Sequence, residues 1–102
     1  VYLDHVDQQE LNRMICAVLK KYVDLQEYKV FYFGSRVLGN TDDRSDIDVG
    51  IEGKHPLLLA TLANIKEDIE NLPLLYTIDI VDFTNATQEF LAVAGEHREY
   101  IN

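Results

Sequence analysis

Two short stretches of the sequence bring together residue types that handle phosphate and metal. Gly34-Ser35 stands directly after an aromatic, β-branched run, and Asp46-Ile47-Asp48 follows after an interval of ten residues. On an extended strand, residues two apart point to the same face. Asp46 and Asp48 are therefore expected side by side, with Ile47 and Val49 turned into the core. Two carboxylates held about 6.6 Å apart repel by roughly 2–3 kcal/mol at an effective dielectric of about 20. A cation between them relieves that repulsion. An oxygen-only donor set suits Mg2+ or Mn2+, which take one or two carboxylates together with phosphate oxygens. Taken alone, the pair also reads as the solvated face of an edge strand.

The Gly34-Ser35 turn adds an anion site to this picture. Glycine lets the backbone approach a ligand closely, and the N–H groups that follow can hold a phosphate with the Ser35 hydroxyl. Arg36 adds a charge-assisted contact. The bland alternative is a turn in which Ser35 caps a short helix. In combination, an anion cradle and a cation site on adjacent strands suit a nucleoside triphosphate with its metal.

The elements that must carry these residues follow from the apolar period. Asp7 to Glu10 reads as a capping box, and Leu11, Ile15, Val18, Leu19 and Tyr22 recur at helical spacing, which predicts a helix to about Tyr22. Tyr28 to Phe33 predicts a core strand rather than a base-stacking platform. Residues 34–45 are rich in Gly, Asn, Asp and Ser and read as a loop, and Asp46 to Glu52 as a second strand. Pro56 suits a first helical position, and Leu58, Leu62, Ile65, Ile69 and Leu72 form one stripe of a helix that Pro73 ends. Thr77 to Phe83 predicts a third strand and Thr87 to His97 a last helix. The order α-β-β-α-β-α, with short connections, predicts an α+β fold in a single domain over residues 1–102.

Charge narrows the partners. Eighteen acidic against nine basic residues leave a net charge of −9, which disfavours direct binding to nucleic acid or anionic lipid. Cys16 has no second cysteine to pair with, and it is expected as a small buried hydrophobe. His5, His55 and His97 show no metal-ligand spacing, and Arg44, Arg98 and Glu99 are expected in solvent. No apolar run approaches the length of a membrane span, and no secretory signal precedes the first helix, so a cytoplasmic protein is expected. Leu57, Leu58 and Leu59 cannot all be buried by one helix face, and an exposed leucine there would suit a subunit interface, with a homo-oligomer among the options.

Gly34-Ser35-Arg36-Val37-Leu38-Gly39-Asn40 followed by Ser45-Asp46-Ile47-Asp48-Val49 closely resembles the signature of the DNA polymerase β-like nucleotidyltransferases, and within them the minimal (MNT) branch. The resemblance implies a small mixed β-sheet with helices packed on one face. It implies Asp46, Asp48 and a third carboxylate as catalytic, metal-holding residues, and Gly34, Ser35 and Arg36 as the nucleotide cradle. The third carboxylate maps onto Ile78-Asp79-Ile80, hence Asp79, with Asp82 as the alternative. Asp82 is readily explained as a solvated residue before a turn, whereas Asp79 stands mid-strand between apolar neighbours. The implied chemistry is transfer of a nucleotidyl group, AMP by family habit, from a triphosphate such as ATP to an acceptor hydroxyl, with Mg2+ or Mn2+. Asp79 lies nearest the acceptor in that scheme. Minimal members of this kind are often paired with a small helical HEPN protein, and some act as antitoxins that modify a tyrosine of it. Two alternatives remain: a non-catalytic module that neutralises a partner by docking, and a transferase acting on a small molecule of the aminoglycoside type.

Overall fold

The computed structural model describes residues 7–34, 47–74, 76–94 and 97–102. The elements in chain order are α1 (Gln8–Leu19), β1 (Lys29–Phe33), β2 (Ile47–Glu52), α2 (Leu59–Glu70), β3 (Ile78–Asp82), a 3-10 turn (Phe83–Asn85), α3 (Gln88–Ala94) and β4 (Glu99–Tyr100). The strands form one mixed sheet in the order β3-β2-β1-β4, with β2 and β3 parallel and the other pairs antiparallel.

Helix α1 starts where its cap lies. The Asp7 carboxylate accepts from the Gln9 N–H at 2.8 Å, satisfying one of the free donors of the first turn. The reciprocal half of the expected capping box is absent: Glu10 turns instead to Arg13. The helix ends at Leu19, short of the expected Tyr22, which is recruited by another contact. The Tyr22 hydroxyl donates to Asp68 at 2.6 Å while Lys21 Nζ reaches the same carboxylate at 2.8 Å, clasping the end of α1 to α2.

The strand alternation divides the core in two. Leu11, Ile15, Val18 and Leu19 of α1 meet Val30, Tyr32, Ile47, Val49, Ile51 and Ile80 of the sheet and Ile65 and Ile69 of α2 in one buried cluster. Within it the Tyr32 hydroxyl donates to Asn12, and burial pushes its pKa upward. The opposite face carries Phe31, Phe33 and Phe83, against which Val81 and Leu91 pack. At Gly50 the Phe31 and Phe83 rings close over the sheet, since a Cβ there would lie 2.8 Å from Phe83 Cε1. The two long helices therefore share one face, and the seven-residue α3 sits on the aromatic one.

Four expectations are corrected. Helix α2 begins at Leu59, not at Pro56, and Leu58 is its extended N-cap, 75% exposed and off the buried stripe. The cause lies in a distant strand: Asp82 accepts the Leu57 N–H at 2.8 Å and holds the approach to α2 extended. Strand β4 was not expected; it exists by pairing with Phe31 and Tyr32 rather than by any pattern of its own. Arg98 is not solvated, because its guanidinium lies 4.4 Å from the Phe31 ring centre and pairs with Glu52 at 3.0 Å. Cys16 is half-buried, one position off the Leu11-Ile15-Val18-Leu19 stripe. His5 and Arg44 lie outside the described residues.

Candidate active site

The chemistry gathers where β1 ends and β2 begins. Strand β1 closes on Phe33, and Gly34 follows with φ of +84°, a left-handed backbone that side chains rarely allow. A Cβ at Gly34 would also collide with the Asp48 carboxylate. Gly34 thus lies against the second acid of the Asp-Ile-Asp motif; its left-handed backbone favours glycine, and any side chain added there would have to push the Asp48 carboxylate aside.

The register sets the rest. Asp48 lies opposite Phe33 in the antiparallel ladder and opposite Asp79 in the parallel one. Residues at matched positions share a face, so Asp79, Asp48 and Phe33 form a row across three strands on the aromatic side of the sheet. Their neighbours Ile47, Val49 and Ile80 point the other way and are buried, which anchors the row from beneath. Asp48 is half-buried and Asp79 exposed.

Asp82, the alternative third carboxylate, faces the opposite side and has structural partners. Besides the Leu57 N–H it accepts the Thr84 N–H at 2.9 Å, capping the 3-10 turn. The sequence reading of Asp82 as a solvated residue is corrected accordingly. Ser35, Arg36 and Asp46 fall outside the described residues, so of the expected constellation the structure brings together Gly34, Asp48 and Asp79.

The donor set can be tested against a metal on these residues. Two carboxylates in register, on one face and beside a glycine that leaves space, fit a hard cation that also takes phosphate oxygens. Among the described residues no cluster of three metal-capable side chains occurs. The third expected carboxylate, Asp46, lies outside them.

Two features of the surroundings had no signal in the sequence. The floor beside the carboxylates is aromatic, with Phe33 and Phe83 ring centres 4.8 Å apart and Phe83 and Phe90 5.3 Å apart. On the other flank of Asp79, a cleft of about 410 Å3 runs between β3 and the start of α2, lined in part by Leu57, Leu59, Leu62 and Lys66.

Comparison with known proteins bears on the family and the fold. The profile of the family described as "Polymerase beta, Nucleotidyltransferase" matches residues 13–101. The chain is 31% identical over 64 residues to "Probable protein adenylyltransferase MntA" of Haemophilus influenzae, an alignment covering 63% of this chain and 56% of that relative's length. In solved structures, a complex of a tri-AMPylated Shewanella oneidensis HEPN toxin with its MNT antitoxin matches with a TM-score of 0.66 at 18% identity, over 92% of this chain and 71% of that one. A toxin-antitoxin crystal structure with AMP-PNP matches with a TM-score of 0.67 at 18% identity, over 89% and 72%. These last likenesses establish the fold. The profile match, running through every described element from the middle of α1 to β4, shows that the chain belongs to the polymerase beta nucleotidyltransferase family.

Proposed function

We propose that the chain is a metal-dependent nucleotidyltransferase of the cytoplasm that transfers AMP from ATP to a hydroxyl on a protein, a tyrosine of a small helical HEPN-type partner, and so acts as the antitoxin of a pair. Residues 1–102 form the catalytic domain. The observation that carries the reading is the row formed by Asp48 and Asp79, with Gly34 folded against Asp48. Support for a protein acceptor comes from the Haemophilus influenzae relative, which is named a protein adenylyltransferase, and from the AMPylated toxin bound to the Shewanella oneidensis antitoxin.

In this scheme Asp46, Asp48 and Asp79 hold Mg2+ or Mn2+, which when bound neutralises phosphate charge and acidifies the acceptor hydroxyl. Gly34, Ser35 and Arg36 bind the β- and γ-phosphates and orient the leaving pyrophosphate in line with the acceptor. The acceptor oxygen bonds to the α-phosphorus as the bond to pyrophosphate breaks, and the hydroxyl proton passes to the Asp79 carboxylate. Exposure of Asp79 leaves its side of the row open to a large acceptor.

Calorimetric titration of Mg-ATP into the wild-type chain and Asp48→Asn tests the reading. Binding that weakens at least tenfold in the variant, with the fold intact by circular dichroism, is the expected result. Equal affinity for both proteins would overturn it.

A further inference from the structure

The cleft beside Asp79 has the features of a binding groove for an extended chain. Strand β3 is at the edge of the sheet, with β2 on one side and no strand paired on the other among the described residues. The bond from the Ile47 N–H to the Thr77 carbonyl fixes the alternation of the ladder. It directs the N–H and C=O groups of Asp79 and Val81 towards β2 and those of Ile78 and Ile80 outward. Such an edge is a template for an added strand.

The walls say which strand fits. A segment lying along β3 would alternate its side chains between two environments. On the helix-covered side these are Leu57, Leu59 and Leu62, of which Leu59 is 85% exposed. On the other side the alternate side chains come level with Asp79. Asp79 and Asp82 against Lys66 make the lining acidic, in a chain whose net charge is −9.

We propose that the outer edge of β3 and the cleft above it bind an extended, basic segment of the acceptor protein, which adds a strand to the sheet with apolar side chains under α2 and its hydroxyl residue beside Asp79. The inference rests on the nucleotidyltransferase reading and names how its acceptor is held. Charge complementarity selects a basic occupant over a second copy of this acidic chain.

The probe is a labelled synthetic peptide that alternates valine with lysine around one central tyrosine, with a glutamate-for-lysine peptide as its counterpart. Binding is read by fluorescence anisotropy without nucleotide, so the docking result is independent of catalysis. The lysine peptide is expected to bind wild type and Asp48→Asn alike. The variant Leu59→Ser, altered only at an exposed position of the lining, should bind it at least tenfold more weakly. Hydrogen exchange at the Ile80 amide should slow at least tenfold when the peptide is added. No binding to wild type, equal binding of the glutamate peptide, unchanged affinity in the serine variant, or an unprotected Ile80 amide would each overturn the proposal. Failure of the nucleotidyltransferase reading registers separately, as Mg-ATP affinity that Asp48→Asn leaves unchanged.

Discussion

At Gly34 a conformational and a steric demand fall on one atom, the missing Cβ. Its φ of +84° costs any other residue about 1–2 kcal/mol, and the added carbon would displace the Asp48 carboxylate. Gly34→Ala should therefore lose about 1–2 kcal/mol in urea unfolding and also weaken Mg-ATP binding. Retention of wild-type values in both measurements would show that the turn relaxes freely. The two aspartates of β3 separate in the same way. Asp82 accepts two backbone N–H groups, so Asp82→Ala should cost about 1–2 kcal/mol through the lost cap and the stranded Leu57 donor. Asp79 is exposed on the other face, and Asp79→Ala should stay within about 0.5 kcal/mol of wild type while abolishing nucleotidyl transfer. Chemical denaturation paired with a transfer assay distinguishes the roles, and reversed outcomes would exchange them.

Between elements, the clasp of α1 to α2 gives stability a pH dependence. The Lys21 ammonium and the Tyr22 hydroxyl, both bonded to Asp68, hold its carboxyl below the ordinary aspartate value. A carboxyl depressed in the folded state takes up protons more readily when unfolded, so the clasp is fully present above about pH 4 and is lost as pH falls through the native value. The melting temperature of wild type should exceed that of Asp68→Asn at pH 7, and the gap should close in acid below about pH 4. A gap independent of pH would assign the effect to packing. What the sequence disclosed follows from how local each cause is. Strands β1 to β3 were legible because Tyr28 to Phe33, Ile47 to Glu52 and Ile78 to Asp82 carry β-branched or aromatic residues bounded by turn formers. The start of α2 was not, since Pro56 is a good first residue locally and the contact that holds Leu57 outside the helix comes from the Asp82 carboxylate, 25 residues away. Strand β4 and the burial of Arg98 depend likewise on Phe31 and Phe83. Alternation placed Asp48 away from the core, yet its adjacency to Asp79 needed the parallel register, which no spacing within either strand encodes.

Across the whole molecule, the charge of −9 acts with opposite sign on the two proposed ligands. Mg-ATP is an anion, and its approach is opposed by the net field even though the site itself attracts it. A basic acceptor segment is drawn in by the same field. At about 10 mM salt the screening length is about 30 Å. That is comparable with the molecule's dimensions of 34 × 30 × 21 Å, so its charges act together. At about 100 mM the length is about 10 Å, and a ligand responds chiefly to the groups nearest it. Raising salt over that interval should therefore slow association of the lysine peptide several-fold and leave Mg-ATP association unchanged or faster. Stopped-flow measurement of both rates on one preparation checks this. Parallel slowing of the two would mean that local charge at the cleft and cradle outweighs the net field, and the acidity of the chain would then have no part in choosing its partner.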